Sequence, residues 1–164
     1  YGKIKLLCTK YLIYLNKSLG LPVTILRFFL TYGPDQDKNR LIRQVIEACI
    51  KNKILKVSKG EAIRDFCYIE DAVKSILLCL TSSNTSGKIL NVGSGKPIKV
   101  KKVVNIVRQK INKGKIKFGY RKYRPGEVMK QYPDLKKIKK LINWEAKTNL
   151  YIGIDKTIKY FKNC

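Results

Sequence analysis

Tyr1 and Lys5 stand four residues apart at the head of an apolar, helix-patterned stretch, so their side chains share one face. A lysine ammonium beside a phenol favours the phenolate. A tyrosine tuned in this way can take or give the proton of a sugar hydroxyl while a nicotinamide exchanges hydride with the same carbon. Tyrosine and lysine are both abundant here, and Tyr132/Lys136 repeats the spacing, so the pair alone is equally a product of composition. Two arginines next to acids, Arg64 in a GEAIRDF run and Arg124 in RPGE, have the planar fork that suits a diphosphate. Their plain alternatives are a surface pair of Arg64 with Asp65 or Glu61 and a solvated basic turn around Arg121, Lys122 and Arg124. Asp71 and Asp134 read as acids at helix starts, and Trp144 reads as core packing. Gly93-Ser94-Gly95 reads as a turn, because Ile98 stands where a dinucleotide loop would need its third glycine.

Other chemistries are closed by composition. The 164 residues include no histidine, which removes histidine-based acid–base catalysis, and no metal site is expected. The five cysteines (Cys8, Cys49, Cys67, Cys79, Cys164) make no C-x-x-C pair and lie in apolar stretches, as reduced thiols of a cytoplasmic protein would. The net charge of +25 attracts anions, sugar diphosphates and nucleic acid alike. Only seven of the 36 basic residues are Arg, and the lysines are spread through nearly every segment, so no nucleic-acid partner is expected. No run is long and apolar enough for a membrane span, and no membrane partner is expected. The chain opens on Tyr, and its only methionine is Met129, which reads as a fragment or a processed product.

The elements that must position these residues alternate between helix and strand. Residues 1–19 carry Leu7, Tyr11, Tyr14 and Leu15 at helical spacing, with Gly20 as a stop. A β-branched and aromatic run at 22–29 reads as a buried parallel strand. TYGPDQD reads as a loop, 39–51 as helix, 54–57 as a short strand and 70–80 as an apolar helix. Strand at 89–92, helix at 100–111 and strand at 116–118 follow. RPGEVMKQYPD reads as irregular, before two last helices near 134–142 and 149–162. The pattern is α/β.

The ordered series YGxxK, LPVTILRFFLTYGP, NRLI, GEAIRDFCYIED, ILNVGSGKPIKV, RPGE and YPDLKKIKKLINW resembles the NAD-dependent epimerase/dehydratase branch of the extended short-chain dehydrogenase/reductases. These enzymes act on nucleotide sugars. The resemblance runs over essentially the whole chain. It implies the C-terminal part of a Rossmann-type NAD(P)-binding fold plus a small α/β substrate-binding domain. Residues 1–34 would end the Rossmann domain, and 35–164 would be mainly substrate-binding, with 60–92 returning to the Rossmann sheet.

The resemblance also implies roles. Tyr1 would be the catalytic acid/base, with Lys5 tuning it and bonding the nicotinamide ribose. Phe28 and Phe29 would line the nicotinamide end. Arg64 and Arg124 would clamp the substrate diphosphate, Glu127 would contact the nucleotide ribose, and Arg40, Leu41 and Asn91 would line the nucleotide pocket. Three positions depart from the family pattern: Leu30 for an Asn, Thr9 for an acid after the YxxxK lysine, and Arg43 for a proline. The implied cofactor is NAD or NADP, although no glycine-rich pyrophosphate loop is present in the sequence. The implied partners are a nucleoside-diphosphate sugar and, in a full-length protein, a second copy as homodimer. The expected activity is nucleotide-sugar epimerase, dehydratase or 4-ketoreductase, with the isolated chain inactive, poor at binding NAD and prone to aggregate. A basic nucleic-acid-binding module and a non-catalytic partner subunit are the alternatives.

Overall fold

The computed structural model describes residues 1–163; Cys164 lies outside them. Helix α1 (Gly2–Leu19) ends at Gly20, whose φ of 67° places it in the left-handed conformation of a helix stop. Strands β1 (Ile25–Phe28) and β2 (Leu30–Tyr32) follow, then α2 (Leu41–Ile50), β3 (Ile54–Lys56), β4 (Ile63–Arg64) and β5 (Phe66–Tyr68). Next come α3 (Ile69–Leu80), a short 3-10 turn at Ser83–Thr85, β6 (Ile89–Val92), β7 (Ile98–Lys99) and α4 (Val100–Ile111). The chain ends with β8 (Lys115–Lys117), β9 (Lys130–Gln131), α5 (Lys136–Ile142) and α6 (Leu150–Lys162).

The expected α/β class is borne out, and most pairings are parallel. β1 runs beside β6 with Ile25 opposite Ile89 and Phe28 opposite Val92, and β2 runs beside β5. β3 pairs with β8, while β4 lies between antiparallel β7 and parallel β9. Parallel partners far apart in sequence require helical crossovers, which α2 to α4 supply.

Two apolar clusters hold these layers together. The larger joins Tyr32, Phe66 and Tyr68 of the strands to the inner faces of α2, α4 and α6, with Ile46, Val107 and Ile154 fully buried. Tyr32 meets both Phe66 and Tyr68 edge-on. Gly153 on α6 is needed there, because a Cβ would overlap the Tyr32 hydroxyl. The smaller cluster packs Leu90 and Val92 of β6 against Cys67, Ala72, Ile138 and Trp144. Trp144 is core packing as expected, and its indole N–H donates to the Asp71 carbonyl at 3.1 Å. The Asp71 carboxylate does more than start α3. It is buried and accepts the Thr148 N–H at 2.8 Å, tying the α5–α6 connection to α3.

The structure corrects three sequence expectations. The strand expected at 22–29 is regular only from Ile25 to Phe28. Thr31 and Tyr32, expected to open a loop, are strand together with Leu30, because the chain crosses from β6 to a second partner, β5. The RDFCYI run, to which no strand was assigned, supplies β4 and β5, and the irregular stretch contains β9. These pieces are two or three residues long and have no periodicity to read. The apolar stripe of α1 contains no buried residue, and Leu7, Tyr11 and Tyr14 are exposed. Among the described residues no helix is long and apolar enough to cross a membrane.

Candidate functional site

One crevice of about 1200 Å³ opens between β1 and β2, the 33–40 segment, β4 and the turn at 121–127. Of the ten residues singled out from sequence, Tyr1, Phe28, Phe29, Arg40, Leu41, Arg64, Asn91, Arg124 and Glu127 line it. Lys5 does not. It lies one helical turn behind Tyr1, with Nζ 5.6 Å from the centre of the Tyr1 ring. Tyr1 is 93% exposed, Phe28 is exposed at the end of β1, and Phe29 extends the ladder by donating its N–H to the Val92 carbonyl.

The best-built part of the site is the RPGE turn. Glu127 N–H donates to the Arg124 carbonyl at 3.0 Å. Pro125 and Gly126, the latter at φ 72°, occupy the two central positions as a tight turn of this kind requires. The Glu127 carboxylate then closes the turn from inside, with one oxygen accepting the Arg124 N–H at 3.2 Å and the other meeting Arg64 Nη2 at 3.0 Å. Arg64 also donates through Nη1 to the carbonyls of Ile63 and Met129. Its side chain is only 11% exposed, so this ion pair is shielded from water in a way surface pairs are not. The Arg124 guanidinium has no protein partner among the described residues and stands at the crevice.

The two plain alternatives for Arg64 do not hold. Glu61 pairs with Lys99 at 2.8 Å. Asp65 turns the opposite way from Arg64, as successive residues of extended chain do. Its fully buried carboxylate accepts the Ser94 N–H, the Ser94 hydroxyl and the Lys96 N–H. The Gly93–Gly95 segment is therefore a filled turn, as expected. A Cβ at Gly93 would sit 2.6 Å from Pro133 and 2.8 Å from the Asp65 carboxylate. Its Ser94 N–H and the Lys96 N–H just beyond it are spent on Asp65, which fills the place a pyrophosphate would need.

Asn91, on β6 opposite Arg27, gives its amide to the Asp134 carbonyl at 3.2 Å. Asp134, expected as the N-cap of α5, lies one residue before the N-cap Leu135 and accepts the Lys136 N–H at 2.9 Å. Arg40 is the exposed N-cap residue of α2, and Leu41 opens that helix. Sequence reading missed three residues that shape the crevice. Asp65 could have been found from its place beside Arg64 in the RDF run. Tyr123, whose hydroxyl accepts the Glu61 N–H at 2.9 Å, and Gln36, whose amide donates to the Thr31 carbonyl at 2.8 Å, carry no local signal. Among the described residues no group of acids and cysteines could hold a metal ion.

Comparison with known proteins bears on what this crevice handles. Residues 1–157 match the family model described as GDP-mannose 4,6 dehydratase. A Bacillus subtilis protein described as an uncharacterized UDP-glucose epimerase is 31% identical over 164 residues, covering 99% of this chain and 52% of the relative. The crystal structure of UDP-glucose 4-epimerase from Thermotoga maritima, with UDP-glucose, superposes with a TM-score of 0.92 at 26% identity, over 99% of this chain and 53% of that one. UDP-glucuronic acid 4-epimerase from Bacillus cereus, in complex with UDP-glucuronic acid and NAD, superposes at 0.85 with 25% identity, over 94% of this chain and 50% of that one. The chain thus spans about half the length of the relatives it matches.

Proposed function

This chain belongs to the family described as GDP-mannose 4,6 dehydratase, within the NAD-dependent epimerases and dehydratases, and from that premise we propose that its crevice binds a nucleoside-diphosphate sugar for chemistry at a ring carbon. The observation that carries the reading is the Arg64–Glu127–Arg124 arrangement on the wall of a crevice that Tyr1 also lines. Arg124 offers its unpartnered guanidinium to the diphosphate. Arg64, locked on Glu127, adds fixed positive charge behind it, so little reorganisation is needed when the anion arrives. Glu127 faces the nucleotide ribose, with Asn91, Arg40 and Leu41 around the nucleotide.

The residues present fit one end of a nicotinamide cofactor only. Tyr1, Lys5, Phe28 and Phe29 would hold the nicotinamide and its ribose, whereas the one glycine-rich turn is occupied by Asp65. When bound, the cofactor supplies the acceptor and donor of a hydride at the sugar carbon. The Tyr1 hydroxyl moves the proton of the hydroxyl on that carbon, and Lys5 steadies the negative charge left on the phenol oxygen. Phe28 and Phe29 form an apolar shelf that keeps water from the reacting carbon.

Epimerase, dehydratase and 4-ketoreductase outcomes share this first step. The family description is a dehydratase and the relatives are described as epimerases or UDP-glucuronic acid decarboxylases, which supports the shared step over any one outcome. On the same reading, residues 1–34 belong with a Rossmann domain and 35–164 mainly with a substrate domain, with 60–92 returning to the Rossmann sheet, a return supported by the pairing of β1 with β6 and of β2 with β5. A homodimer through α1 is supported by its exposed Leu7, Tyr11 and Tyr14.

The test is calorimetric titration of the chain with UDP-glucose. Binding that weakens about tenfold or more in Arg124→Ala is expected, in the range for a charge-assisted contact; equal binding by wild type and variant sinks the reading. Titrated alone with NADH, the chain is expected to show no micromolar binding. Joined to a cofactor-binding half, Tyr1→Phe should keep UDP-sugar binding and lose turnover.

A further inference from the structure

The 33–40 segment forms one wall of the crevice without a strand ladder of its own. At Asp35 its backbone is left-handed, with φ 54°, a conformation that a non-glycine residue keeps only where its surroundings hold it. Within the segment, the Asp37 side chain and carbonyl accept the Asn39 and Arg40 N–H groups, which shapes the segment without fixing it to anything else. Two anchors reach outside. The Gln36 amide donates to Thr31 on β2 at 2.8 Å, and the Gln36 carbonyl accepts Arg43 Nη1 at 2.6 Å.

Arg43 is placed to act as a strut. It lies in the first turn of α2 and does not line the crevice. Its Nε meets Glu47 one turn along the same helix at 2.6 Å. Its guanidinium lies 4.9 Å from the ring centre of Phe161, near the end of α6. A planar fork that bonds in two directions while lying over an aromatic ring has one orientation available to it. The crevice wall is thereby tied to α2 and α6, both part of the larger buried cluster. Lysine at this position could reach one of the two oxygens but not bridge both while stacked.

We propose that Arg43 is a positioning residue for ligand binding, holding the Gln36 part of the 33–40 wall at the spacing a nucleoside-diphosphate sugar requires, next to Arg40 and Leu41, which α2 itself sets. This rests on the reading of the crevice as a nucleotide-sugar site. Released from Arg43, the segment keeps its composition but gains freedom, and each binding event must then order it.

The experiment compares wild type, Arg43→Met, Arg43→Lys and Phe161→Leu by UDP-glucose titration and thermal melting. Arg43→Met is expected to weaken binding about tenfold, within the range found for small misplacements of binding groups. Arg43→Lys should recover part of that loss. Phe161→Leu, which trims the stacking ring but leaves the bond to Gln36, should lower the melting temperature while binding stays near wild type. Unchanged affinity in Arg43→Met, or a loss in Phe161→Leu that tracks its melting temperature, would overturn the proposal and leave Arg43 as packing only. Failure of the wild type to bind UDP-glucose is a separate result. It overturns the nucleotide-sugar reading itself, and this inference with it.

Discussion

Helices α1 and α2 both have apolar residues at helical spacing, yet one buries that face and the other does not. α2 places Ile42, Val45, Ile46 and Cys49 inside the larger cluster, and α4 opposite it places Val103, Val104, Ile106, Val107 and Ile111 there. α1 leaves Ile4, Leu7, Tyr11 and Tyr14 exposed, and α3 covers its small side (Ala72, Ser75, Cys79) while presenting Val73, Ile76, Leu77 and Leu80 to solvent. The difference teaches that helical spacing defines a face, whereas burial needs a partner surface. Here α2 and α4 are each other's partner, whereas among the described residues α1 is covered only on one side, where Leu12, Ile13 and Leu15 are half-buried, and its outer face is left open.

The comparison breaks most visibly in the core. Ile46→Ala should cost about 2–5 kcal/mol, the range for emptying a buried aliphatic site. Chemical denaturation measures it, and a cost near zero would mean that the α2–α4 interface is loosely packed. Asp65→Ala should come next at about 1–3 kcal/mol, because the Ser94 and Lys96 N–H groups lose their acceptor in a turn that Gly93 and Pro133 leave no room to relax. Asp65→Asn, which keeps one acceptor, should fall between wild type and alanine.

A pH series sharpens the contrast in another way. Burial pushes the Cys67 thiol up to about 12, with Asp71 and Asp65 adding repulsion, and burial moves Cys79 in the same direction. A thiol raised above its unfolded value contributes stability that is whole below that value, 9.0, and is lost as pH climbs through about 12. Burial raises the Tyr32 and Tyr68 phenols too, so they add to the same alkaline loss. The melting temperature should therefore fall from about pH 9 upward, and Cys67→Val should make the fall shallower. A thiol reagent at neutral pH should find Cys8 on exposed α1 and spare Cys49, Cys67 and Cys79 until the chain unfolds.

The smallest effect is expected on α1. Leu7→Ala, at a side chain 65% exposed, should stay within about 0.5 kcal/mol of wild type. Denaturation at two protein concentrations checks this. A larger, concentration-dependent cost would show that a second copy covers the α1 face.

Much of this was legible in the residues. The helices with long, regular spacing fall within a few positions of their expected bounds, and β6 and α4 match theirs. Trp144 in the core and Asp134 as an acid just ahead of α5 were readable because burial of a large ring and an acid before a helix are local rules, although the N-cap itself is Leu135. β4, β5 and β9 were not, because strands of two or three residues are defined by their neighbours and not by their own pattern.

By itself the sequence determined the α/β class, the order of the main elements and the absence of histidine. Those are matters of side-chain type and short spacing. Only the tertiary structure decided that Arg64 pairs with Glu127, 63 residues away, while its neighbour Asp65 fastens a different turn. An ion pair across that distance depends on which strand ends are brought together, and that juxtaposition is set by the packing of the whole chain.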